Sequence, residues 1–71
     1  MSHSVKVRAH SLEIKQVLPN GREARVRLRS LDGRTHALEQ STIESVREAL
    51  ATGDDPCHLV GPDFRCEIQI R

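Results

Sequence analysis

"LEIKQVLPNGREARVRLRS", residues 12–30, decides the fold. Apolar and polar residues alternate on both sides of Pro19-Asn20-Gly21, the pattern of two half-buried strands joined by a turn. Pro19 suits the first central position of a type I turn, and Gly21 supplies the left-handed residue that follows in a three-residue hairpin loop. That loop sets Leu18 opposite Arg22, Ile14 opposite Val26 and Leu12 opposite Leu28. A two-residue Asn-Gly loop sets Lys15 against Val26 and Ile14 against Arg27 instead. A slip of one residue carries the whole apolar set to the wrong face, so the three-residue loop is predicted.

Upstream, "SVKVRAH" at 4–10 places Val5, Val7 and Ala9 on one face and Lys6, Arg8 and His10 on the other. The phase slips near Ser11, which predicts one long strand with a bend or bulge. Downstream, "SLDGR" reads as a second three-residue loop, Leu31-Asp32-Gly33, with Ser30 opposite Arg34 and a third strand over 34–39. Val26 then faces Leu38, and Arg25 faces Glu39. A two-residue Asp-Gly turn is the other reading, but it sets Leu38 against Arg27.

"STIESVREAL" at 41–50 predicts the one helix. Ser41 is the expected N-cap, with Glu44 completing a capping box. Ile43, Val46 and Leu50 form an apolar stripe, Gly53 is the C-terminal stop, and Pro56 forbids helix beyond it. The tail "CHLVGPDFRCEIQIR" reads as a closing hairpin with a loop over 60–63. It pairs Leu59 with Phe64 and Cys57 with Cys66, leaving Phe64, Cys66, Ile68 and Ile70 on one face. The predicted fold is α+β: one small domain over 1–71, a small antiparallel sheet in β-β-β-α-β-β order with the helix packed on one face.

With 71 residues, the chain buries only about 60% of its unfolded surface, so its margin is thin and oligomerisation would add to it. Phe64 is the one aromatic residue, and the core must come from Val, Leu and Ile. The net charge of +1 hides an asymmetry. Residues 1–36 carry eight Lys or Arg against three acids, and residues 37–71 carry three against seven. Arg outnumbers Lys nine to two, which favours planar contacts with carboxylate or phosphate. With no signal-peptide pattern, long apolar run or lipidation motif in view, the expectation is a cytoplasmic protein without a membrane partner, of bacterial or phage accessory type.

The residues that carry chemistry are sparse. Cys57 and His58 are adjacent, so in a strand they point to opposite faces, unlike the convergent ligand pairs of zinc sites. Two buried thiols are expected, with a cross-strand disulfide as the alternative. His36 is expected inward, opposite Leu28; His3 and His10 are expected in solvent. "GDDP" at 53–56 reads as a solvated loop that could touch a cation. Phosphate-loop, nucleophile-elbow and paired-carboxylate patterns are absent from the sequence. No catalytic residue, metal, cofactor or small-molecule substrate is indicated, and an enzyme is not expected.

The basic face remains. Lys6, Arg8, Lys15, Arg25, Arg27 and Arg29 occupy outward positions of neighbouring predicted strands and are the candidate partner-binding residues. Arg27 faces Glu13 and Arg25 faces Glu39, whereas Arg29 faces only Ser11 and Thr35. Lys15 faces Arg25, a like-charge pair. The candidate anion patch is therefore Lys15, Arg25 and Arg29, extended by Lys6 and Arg8; otherwise the row is a solvated strand face. Aromatic stacking platforms are missing, and the helix exposes Glu44 and Glu48, so base-specific readout is not expected. The expected function is a non-enzymatic interaction, adaptor or inhibitor-type protein. It would bind a macromolecular partner, self-association included, through the charged sheet face or an open sheet edge. Binding of a nucleic-acid backbone through the basic face is the alternative.

Overall fold

The computed structural model describes residues 5–71. His3 lies outside the described residues. Five strands, one helix and one 3-10 turn follow in the order β1 (Lys6–Ala9), β2 (Ser11–Val17), β3 (Glu23–Ser30), β4 (His36–Glu39), α1 (Gln40–Thr52), the turn Pro56–Leu59, and β5 (Phe64–Ile70). The fold is α+β, with the helix packed against β2 and β4.

The first hairpin forms in the predicted register. Leu12 pairs with Leu28, Ile14 with Val26, Glu13 with Arg27, and Lys15 with Arg25. Leu18 donates its N–H to the Arg22 carbonyl at 2.7 Å, and Gly21 closes the loop at φ 84°. The long first strand does bend: β1 and β2 are separated at His10, whose carbonyl accepts the Ser30 N–H at 2.9 Å. The bend sends the two halves into different antiparallel sheets, β1–β4 and β2–β3–β5.

That split corrects the predicted meander. β4 does not return to β3; it pairs with β1, setting Leu38 opposite Val7, Glu39 opposite Lys6 and His36 opposite Ala9. The free side of β3 is taken by β5 over seven residue pairs, from Ala24–Ile70 to Ser30–Phe64. β4 has only four residues to offer, so the longer apolar ladder of β5 outcompetes it. The turn after Ser30 keeps its expected chemistry, with Gly33 at φ 73° and Asp32 accepting the Arg34 N–H at 2.8 Å, but it connects two sheets rather than two paired strands.

The closing hairpin is corrected as well. Residues 56–59 form a 3-10 turn instead of a strand, because Asp55 accepts the Cys57 N–H at 2.9 Å and Pro56 stands at the first helical position. The expected thiols are a disulfide, Cys57–Cys66, with the α-carbons 5.5 Å apart. At the helix start, Glu39 rather than Ser41 is the N-cap residue, and no side chain caps it. The β1–β4 ladder runs straight into the helix, where Gln40 donates its N–H to Val5, so Ser41 already lies within the first turn. The helix end is as predicted: Gly53 at φ 82° donates to the carbonyls of Ala49 and Leu50.

One core joins these elements. Ile14, Ala24, Val26, Leu28, Leu38, Ile43, Val46, Leu50 and Phe64 are buried together, with Val7, Leu12, Leu18, Val60 and Cys66 packed around them. The predicted stripe of the helix, Ile43, Val46 and Leu50, supplies its upper layer. The sheet residues of the core all lie on the face that the helix covers.

Candidate interaction surface

Alternation along the strands puts the charged residues of the three-stranded sheet on its outer face: Glu13 and Lys15 from β2, Glu23, Arg25, Arg27 and Arg29 from β3, Arg65 and Glu67 from β5. Most of these charges are already engaged. Glu13 stands among three cations, 3.6 Å from Arg27, 3.8 Å from Arg25 and 3.9 Å from Lys15. It thereby bridges the like-charge pair Lys15–Arg25. Arg25 Nε also donates to Glu23 at 2.8 Å. This hydrogen bond holds the Glu23 carboxyl below its ordinary range and raises Arg25 in turn. The expected facing of Arg25 by Glu39 does not occur, since Glu39 belongs to the other sheet.

The candidate residues therefore separate into three groups. Lys6 and Arg8 lie on β1, in the β1–β4 sheet, with Lys6 opposite Glu39 and Arg8 opposite Ala37. Lys15, Arg25 and Arg27 share Glu13. Arg29 stands apart: it makes no ion pair among the described residues, and its neighbours across the strands are Ser11 on one side and Arg65 on the other, not Thr35. Arg65 is its like-charged companion and is paired only along its own strand, with Glu67 at 3.3 Å. Like charges directly opposite destabilise a sheet, so Arg29–Arg65 is an unfavourable pair on this face, and of the two only Arg29 lacks an acid partner among the described residues.

A second feature lies at the edge of the same sheet. β5 has β3 on one side and, among the described residues, no strand on the other. Arg71 donates its N–H to Glu23 and Leu31 donates to the Asp63 carbonyl, so the odd-numbered residues of β5 direct their backbone groups toward β3. The backbone N–H and C=O groups of Cys66, Ile68 and Ile70 consequently point out from the open edge. On the inner face, Ile68 is 39% exposed and Ile70 56%, although their partners Val26 and Ala24 are fully buried. The cause is geometric: a helix about 10 Å across covers about two strands spaced about 4.8 Å apart, and this one lies over β2. Neither Arg65 nor the pair Ile68–Ile70 is among the sequence candidates. The signal is there in the alternation of 64–70, but its meaning depends on which strand the single helix leaves bare.

The other constellations resolve into structural roles. Asp32 accepts from Ser30 and Arg34 and lies 2.9 Å from His36 Nε2; these bonds, the one with His36 foremost, hold its carboxyl below the ordinary range. His36 is half-buried and meets Phe64 edge-on, with ring centroids 5.7 Å apart. His10 is exposed, as expected. In "GDDP", Asp54 accepts from Thr52 and Asp55 caps the 3-10 turn. A depression of about 450 Å³ between the helix and that turn is lined by Glu48, Asp54, Asp55 and His58. No group of three or more His, Cys, Asp or Glu among the described residues is placed to hold a metal ion. No helix among the described residues is long and apolar enough to cross a membrane.

No family model, curated protein or solved structure matches this chain.

Proposed function

We propose that this protein is a non-enzymatic interaction module that captures a macromolecular partner by strand addition at β5. The observation that carries the reading is the open edge itself. Three successive outward-pointing residues, Cys66, Ile68 and Ile70, present unpaired backbone groups, and two of them add exposed isoleucine side chains. Edges of this kind are ordinarily blunted by proline, by inward-facing charge or by a covering segment. Between 67 and 71, β5 carries none of these; β2 is the other edge strand of this sheet, and there the helix covers the inner-face side chains that β5 leaves exposed at Ile68 and Ile70. In strand addition the backbone hydrogen bonds give affinity and the alternate side chains give specificity. The test is Ile70→Lys, which places a charge on an exposed position and leaves the core untouched. It should abolish partner capture with the fold intact by circular dichroism; undiminished capture would overturn the reading.

A second reading rests on Arg29 and Arg65. Two guanidinium groups side by side, that of Arg29 without an acid partner among the described residues, suit the phosphates of a nucleic-acid backbone. Two such contacts predict weak binding with a log–log salt slope of about −1.8. Anisotropy of a labelled oligonucleotide at low salt measures it, and Arg29→Ala should remove about half of the slope.

A further inference from the structure

We infer that the occupant of the β5 edge is a second copy of this chain, paired antiparallel to the first about a two-fold axis at Gln69; the inference rests on the edge-binding reading above. The charges and apolar residues of β5 select this register among those open to it. Centring the axis on Glu67 sets Glu67 against the partner's Glu67, a like-charge clash. Centring it on Ile68 sets Arg65 against the partner's Arg71, another clash. Centring it on Cys66 runs the ladder past the half-cystine tied to the 3-10 turn. It also leaves Ile70 opposite the partner's Pro62, which has no N–H to give to the ladder.

Centring the axis on Gln69 pairs residues 67–71 with the partner's 71–67 and sets neither like charges nor proline opposite one another, with Cys66 lying beyond this ladder. Ile68 meets the partner's Ile70 twice over, Glu67 meets the partner's Arg71 twice, and the two Gln69 amides face each other. Ile68 and Ile70 are also residues whose backbone groups point outward, so each Ile68–Ile70 pair exchanges two N–H···O bonds across the new boundary. The product is a continuous six-stranded sheet in the order β2-β3-β5-β5-β3-β2. Both helices lie on one face, and the four isoleucines that neither helix covers adjoin one another between them. A protomer with a thin core thereby gains apolar burial where its own helix falls short.

Sedimentation equilibrium over a range of concentrations tests this, with folding of each variant checked by circular dichroism. The wild-type chain should show twice its 8.0 kDa mass, and Ile70→Lys should be monomeric. Glu67→Arg should weaken dimerisation about tenfold or more, and Glu67→Arg combined with Arg71→Glu should restore it to within about threefold of wild type. A dimer insensitive to Ile70→Lys overturns the proposal. So does a double variant no tighter than Glu67→Arg alone, which removes the register. A wild-type monomer overturns the second copy as occupant. In that event, comparing what wild type and Ile70→Lys retain from host cells separates the two ideas. Loss of a retained protein on Ile70→Lys leaves the edge reading standing, and identical sets overturn that as well.

Discussion

Glu13 shows how a single side chain can dissolve a binding motif. Placed opposite Arg27 by the hairpin register, it also reaches Arg25 and Lys15, so one carboxylate is shared by three cations, two of which look available in the sequence. The register that puts it there is legible in the sequence, because a three-residue turn and two apolar faces admit only one alignment. The lack of an acid opposite Arg29 is legible too, but its like-charged neighbour Arg65 is not, since that depends on a strand far away along the chain. Two other carboxylates contribute to the acid stability. Glu23 is depressed from an ordinary 4.5 by its hydrogen bond with Arg25, and Asp32 from 3.8 by those with His36 and the Arg34 N–H. In the unfolded chain both return to ordinary values. Their stabilisation is therefore complete above about pH 5 and is lost as pH falls through the lower folded values. Urea midpoints measured from about pH 7 to about pH 2 should be flat at first and fall below about pH 4.5, and Asp32→Ala should make the fall shallower. In the core, Leu28 is fully buried at the centre of β3, and Leu28→Ala should cost about 2–5 kcal/mol by urea titration.

At the scale of elements, local chemistry predicts the hairpin and the helix, and competition between elements decides the rest. The segment 34–39 has a sound turn before it and an apolar Leu38, and these suit β1 as well as β3; a longer β5 settles which. The segment 57–59 reads as a strand from its sequence because the Asp55-Pro56 start signal for a helical turn is short and sits beside an alternating stretch. Its disulfide follows from that turn, which brings Cys57 to Cys66 without a strand between them. The bond joins residues nine positions apart, and chain-entropy arguments give such a closure about 2–3 kcal/mol. Adding a thiol reductant should lower the unfolding free energy by that amount while the far-ultraviolet circular dichroism at neutral pH stays folded; an unchanged urea midpoint would contradict it.

The whole molecule is two layers, 16 Å across its thinnest dimension, with one helix for a three-stranded sheet. This shortage of cover links sequence to the proposed function. Among the described residues the one α-helix has thirteen residues and leaves Ile68 and Ile70, at the C-terminal end of the inner face of β5, partly bare, and β5 is also an edge strand of its sheet. The α+β class is readable from patterning. The bare edge is not, because it is a property of how many strands one helix spans. Amide hydrogen exchange along β5 reports both sides of that strand at once. In dilute protein, Arg65, Glu67 and Gln69 should exchange slowly through their bonds to β3, while Ile68 and Ile70 exchange fast. With rising concentration, as the second chain adds to the edge, the Ile68 and Ile70 amides should slow to match their neighbours. Fast exchange of those two amides at every concentration, beside slow exchange of the odd-numbered three, would contradict this addition.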